Sequence, residues 1–214
     1  MTKTIGYVIA IFFGIVLIDY LGTMAASAFS GIPAFPDSSL NSFGSFDGSS
    51  GLSSINFSFF AKNGVGWSYI TQGYGRTPYS YLYVNGWHNG VDIGAKYGAP
   101  IYSPVAGMVI ATGNQDNYCP GKGFGKFVAL SDPADNVDLW FAHLGTFSVT
   151  PGEDITKGTE LGTIGDTGLE TGTHLHFSVF EAKGFSIEPK YGCGPDANGQ
   201  DVNPVPYLQK FGQE

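Results

Sequence analysis

The chain has 214 residues, 43% hydrophobic and 15% aromatic, which is enough apolar material for one sizeable core and too much for a disordered chain. Its 18 acidic residues stand against 10 basic ones, and no stretch gathers Lys and Arg, which excludes the clustered phosphate contacts of a nucleic-acid binder. The 32 glycines and 12 prolines, spread along the chain, predict short strands joined by tight turns.

Residues 4 to 18, TIGYVIAIFFGIVLI, are uncharged and mostly apolar and follow Lys3. As a helix this run reaches roughly 21 Å, short of the roughly 30 Å hydrocarbon core of a bilayer, which favours a signal peptide. Ala26, Ser27 and Ala28 then offer a small-residue cleavage site. The alternative is an uncleaved anchor running through Asp19 to about Ala26, with Lys3 on the cytoplasmic side. Both readings of residues 1–28 place the rest of the chain outside the cytoplasm, secreted or anchored at the cell envelope. Residues 29–54, rich in Gly, Ser and Pro, suit a flexible linker.

From about Ile55 to the end, residues 55–214, the chain reads as one β domain. The expected strands lie in INFSFF, PIYSPVAGMVIATG, KFVALSD, VDLWFAHL and HLHFSVF, with no convincing helical period between them. Residues 98–113 and 152–168 both space glycines around short apolar runs, which fits a curled antiparallel sheet, a barrel-like sandwich with tight corners and a groove built from loops. The run GKGFGK at 121–126 lacks the spacing of a phosphate loop and reads as a turn. Cys119 and Cys193, the two cysteines, both fall in turn-rich loops, and an extracytoplasmic location favours a disulfide between them.

Four histidines carry the chemistry. His88 and Asp92, in HNGVDIG, are four residues apart and share a face in an extended segment or a helix alike. His143 ends the strand-like run DLWFAH, where a strand would meet its turn. His174 and His176 flank Leu175, so on a strand they share one face. Two histidines and an aspartate meet the ligand count of a catalytic zinc, and the two remaining histidines can move protons and stabilise an oxyanion.

HNGVDIG, FAHLG, GDTGLETGTHLHFSVF and VNPVPYL, in this order, resemble the lysostaphin-type (LytM) zinc endopeptidases that cut peptidoglycan peptides. The resemblance spans about residues 69–208. It implies one Zn2+ per chain held by His88, Asp92 and His176, with His143 and His174 as the catalytic pair and peptidoglycan peptides as partners. The loop 114–126 and the segment KYGCGPDANGQD are longer than the minimal family pattern, which leaves the walls of the cleft open. Two other readings stand beside this one. A wall-binding or hydrolase-activating relative would use the same fold without cleaving, and a cupin would use Gly168, His174, His176 and Glu181. A further expectation is that residues 29–66 either act as a plain linker or cover the cleft and keep the enzyme latent.

Overall fold

In a computed structural model, residues 55, 57–60, 66–83 and 85–213 are described. The apolar N-terminal run and the Gly/Ser/Pro-rich linker lie outside the described residues. Within them no helix is long and apolar enough to cross a membrane.

The strands are β1 (Trp67–Gln72), β2 (Val91–Ala95), β3 (Pro100–Tyr102), β4 (Gly107–Asn114), β5 (Lys126–Asp132) and β6 (Val137–Phe147). They continue with β7 (Asp154–Ile155), β8 (Glu160–Ile164), β9 (His174–Glu181), β10 (Ser186–Pro189), β11 (Pro195–Asn198) and β12 (Asp201–Val202), before a short helix, α1 (Val205–Phe211). Ten of these strands form one antiparallel sheet whose main path runs β1-β2-β9-β6-β5-β4-β7. β12 pairs with β9, while β8 joins β3 to the far end of β6. The expected β class holds, but the barrel does not close: β1 and β7 are the two ends of the path and do not pair with each other. β10 and β11 form a separate hairpin.

Side-chain alternation gives this sheet two different faces. Val91 and Ile93 of β2, Leu139 and Phe141 of β6, and Leu175, Phe177 and Val179 of β9 point into the main core. From INFSFF, Phe57 and Phe60 belong to that core and Ile55 and Phe59 pack against it, but through a 3-10 turn at Phe57–Phe59 and not as a strand. Positions i and i+3 eclipse in such a turn, so Phe57 and Phe60 reach the same side. The Phe60 ring lies 5.2 Å from Trp67, 5.6 Å from Phe177 and 6.1 Å from Phe141. Helix α1 buries Leu208 and Phe211 three residues apart against the same core.

The opposite face carries a smaller cluster of Phe127, Ala129, Trp140, Ala142, Phe180 and Ala197, onto which Phe185 and Ile187 pack. The site face of β2 and β9 continues from it with Asp92, His174, His176 and Ser178. Strand β6 changes register midway: Val128 pairs with Phe141 and Lys126 with Leu144, so Phe127 alone stands opposite both Ala142 and His143. His143 is thus the extra residue of a β-bulge, at φ 61°, and the strand runs on to Phe147 instead of turning where the sequence suggested.

Candidate metal centre

Asp92 of β2 stands directly opposite His176 of β9 in the ladder, so the two side chains meet on the site face. His88 arrives from the loop before β2, pinned by two backbone hydrogen bonds with Gly75 at 2.8 and 2.9 Å. Gly90 allows this loop to lie on β9: a Cβ there would fall 2.6 Å from the Phe177 carbonyl oxygen and 2.8 Å from Cε1 of His176.

Three donor atoms converge. His88 Nε2 is 3.2 Å from Asp92 Oδ1 and 3.1 Å from His176 Nδ1, and His176 Nδ1 is 3.0 Å from Asp92 Oδ1. His88 Nδ1 lies 2.7 Å from the Gly73 carbonyl, which can only accept, so that nitrogen carries the proton and Nε2 presents a lone pair. His176 has Nε2 2.7 Å from Ser178 Oγ, which leaves Nδ1 for the centre. A tetrahedral zinc with bonds of about 2.0–2.1 Å sets its ligands roughly 3.3 Å apart, so the size and the donor types of this triangle fit that ion. Among the described residues His88, Asp92 and His176 form the one His/Cys/Asp/Glu group of metal-binding spacing. Glu181, by contrast, is exposed on the other side of β9 and does not join His176 as a cupin ligand would.

His143 and His174 flank the triangle with ring centroids 4.7 Å apart. His143 Nδ1 is held by the Thr167 carbonyl at 2.8 Å, and His174 Nδ1 by the Gly172 carbonyl at 2.7 Å. His174 Nε2 is 3.4 Å from Asp92 Oδ1. The bulge in β6 is what turns His143 to this side; unbroken alternation after Phe141 would have sent it into the main core.

Burial pulls His143 down to about 3, with the charges of His174 and His176 acting in the same direction. Burial likewise pulls His176 down to about 4, so both imidazoles are neutral at neutral pH. Burial alone would raise Asp92, but the imidazoles of His174, His176 and His88 packed against its carboxylate hold it well below the usual carboxylate range. Burial also opposes charge on His174, yet the hydrogen bond to Asp92 and its charge outweigh it and hold this imidazole above its ordinary value.

The group opens into a cleft of about 1010 Å³. Tyr83 stacks on His88 at 5.1 Å, and its hydroxyl accepts from Gln72 Nε2 at 2.6 Å. Burial, then the charge of Asp92, pushes that hydroxyl up to about 12. Sequence reasoning missed Tyr83, which no spacing rule ties to the histidines. It also missed Ser178, which the alternation that pairs His174 with His176 would have found. The two long segments that left the cleft open to question both wall it, through Lys122 and Phe124 on one side and Lys190 and Tyr191 on the other. A disulfide between Cys119 and Cys193 joins them.

A family model described as peptidase family M23 matches residues 86–204. Lysostaphin of Staphylococcus simulans is 30% identical over 141 residues, covering 66% of this chain and 25% of the relative. The DD-carboxypeptidase/endopeptidase Mpg of Neisseria meningitidis serogroup B is 32% identical over 118 residues, covering 55% of this chain and 22% of the relative. The chain therefore matches about a quarter of the length of these curated relatives. Among solved structures, the catalytic domain of the antimicrobial peptidase lysostaphin from Staphylococcus simulans superposes with a TM-score of 0.50 at 25% identity, covering 64% of this chain and 89% of that one.

Proposed function

The chain belongs to peptidase family M23, and from that premise we propose that it is a zinc-dependent endopeptidase that hydrolyses peptide bonds of peptidoglycan cross-links or stem peptides outside the cytoplasm. The observation that carries this reading is the triangle of donor atoms, with edges of 3.0 to 3.2 Å, beside a second pair of histidines in one cleft. The names of the relatives, a lysostaphin and a DD-carboxypeptidase/endopeptidase, support the substrate class.

His88, Asp92 and His176 would hold the zinc. When bound, zinc supplies Lewis-acid polarisation of a carbonyl oxygen and lowers the pKa of water towards neutrality. His143 and His174 each have Nδ1 committed to a backbone carbonyl, so Nε2 is the nitrogen each has for proton transfer, that of His174 lying 3.4 Å from Asp92 Oδ1. One such nitrogen can accept a proton and the other can donate to the developing oxyanion or the departing amine, the division of labour that general acid–base catalysis requires. Their rings are fixed by main-chain partners, so no reorientation is needed when charge develops.

The test is zinc content together with amine release from purified peptidoglycan, for the full chain and for His176→Ala and His174→Ala. The expected result is one zinc per chain and amine release for the unaltered protein, with both variants inactive and only His176→Ala losing the metal. One zinc per chain with no amine released from any wall type would replace this reading with a wall-binding or hydrolase-activating role.

A further inference from the structure

We propose that Glu170 selects the substrate, by receiving a positively charged amino group carried by a residue next to the bond that is cut. This rests on the peptidase reading above and names the substrate class for the same cleft.

Glu170 sits on the turn between β8 and β9 and lines the cleft. Its side chain is 14% exposed, and Oε2 is shut off from solvent with no hydrogen-bond donor among the described residues. His174 Nδ1 lies 3.8 Å from that oxygen, but its proton is directed to the Gly172 carbonyl at 2.7 Å. The other carboxylates of the cleft are served. Asp92 has its three histidines. Asp201 Oδ2 accepts from Tyr74 Oη at 2.6 Å and Trp87 Nε1 at 3.1 Å. Asp196 has the charge of Lys190 and the backbone N–H of Ala197. A carboxylate with one oxygen withdrawn from water and without a donor is costly, and a cation brought to its exposed edge offsets that cost.

The turn that carries Glu170 is fixed. The Gly168 N–H donates to Asp116 Oδ2 at 3.1 Å, the Leu169 N–H to the Gly123 carbonyl at 2.9 Å, and Thr167 Oγ1 to the Leu144 carbonyl at 2.8 Å. Gly168 has φ 76°, and a Cβ there would fall 2.4 Å from the Gly125 nitrogen, so the turn is seated against the neighbouring loop. The backbone leading into Glu170 is therefore anchored, and its carboxylate lies beside His174 in the cleft.

An ionised carboxylate only accepts, and its strongest partners are cationic donors. The narrow exposed edge of this carboxylate suits a compact ammonium better than the two-pronged guanidinium. The Lys190 ammonium is already engaged by the Ala197 carbonyl at 2.6 Å. Glu170 approaches the Nδ1 edge of the His174 ring while Asp92 approaches the Nε2 edge, so the ammonium would not sit on the reacting bond. It would belong to the side chain or free amino terminus of a flanking residue.

The experiment uses the full zinc-loaded chain and two cross-linked wall peptides that differ only in whether their ammonium groups are free or acetylated. The unaltered chain is expected to cleave the free-ammonium peptide with a kcat/KM roughly 10- to 100-fold higher, mainly through KM, and this preference should narrow as salt rises. Glu170→Gln should cleave the two peptides alike and keep its zinc. Equal kcat/KM for both peptides in the unaltered chain, or a preference that survives in Glu170→Gln, overturns the proposal. Equilibrium binding of the same peptides to the zinc-stripped chain separates the two readings. Tighter binding of the free-ammonium form that depends on Glu170, without cleavage of either peptide by the zinc-loaded chain, ends the peptidase reading and keeps the ammonium site. Equal binding without cleavage ends both.

Discussion

His88, His143 and His174 each put Nδ1 against a backbone carbonyl, while His176 turns Nε2 to the Ser178 hydroxyl. Such outer partners fix which nitrogen faces a metal and typically change metal affinity by about 10- to 100-fold. Ser178→Ala is expected to weaken zinc binding by about 10-fold in a chelator competition while circular dichroism stays unchanged, because Ser178 is fully buried and its loss leaves only a small void. Asp138 offers a test away from the site. Burial pushes its carboxyl up to about 6, so between its ordinary value of 3.8 and about 6 the folded state holds more protons than the unfolded one. Stability therefore falls as pH rises through that window and stays lower above it. Asp138→Asn should flatten this slope and raise stability at pH 7 by about 1–2 kcal/mol, after discounting for solvent screening, as read by denaturant titration at several pH values.

At the scale of elements, the strands in KFVALSD, VDLWFAHL and HLHFSVF were legible because alternation or an unbroken apolar run fixes both type and face. The conjunction of Asp92 and His176 followed once both lay in adjacent strands. INFSFF was misread because closely spaced aromatics serve a strand and a buried 3-10 turn equally well. Helix α1 spans two turns, too few to establish a period, and it starts with Pro204 and an Asn203 side chain that accepts the Val205 N–H at 3.0 Å. The bulge in β6 left no mark in composition, since a histidine after an apolar run looks like the end of a strand. Residues 57–60 behave as part of the core and lie on the face away from the cleft, which places this part of the 29–66 segment where it cannot cover the candidate metal centre. Phe60 is fully buried, and Phe60→Ala should cost about 3–5 kcal/mol in chemical denaturation, with zinc stoichiometry retained below the transition.

At the scale of the whole molecule, the bridge between Cys119 and Cys193 closes a loop across a separation of 74 residues and ties one cleft wall to the other. The chain-entropy model assigns such a closure about 4 kcal/mol. Gln115 reinforces the link, since its Nε2 donates to the Pro195 carbonyl at 2.8 Å and its Oε1 accepts the Phe124 N–H at 2.6 Å. Reduction should lower the unfolding midpoint in proportion. Because the donor triangle lies on β2, β9 and the loop before β2, reduction should raise KM for wall peptides more than it lowers kcat, as steady-state assays with and without reductant would show.

The bulge in β6 has a consequence for descent. Phe141 faces the main core, Ala142 the cleft side and Leu144 the main core, so His143 is supernumerary to the strand's alternation. Deleting it would restore a regular strand and remove a side chain from a left-handed backbone conformation that costs of order 1–3 kcal/mol. A lineage could thus lose this imidazole by dropping one codon and keep the same packed architecture, so in this fold inheriting the scaffold and inheriting the second pair of histidines are separable events.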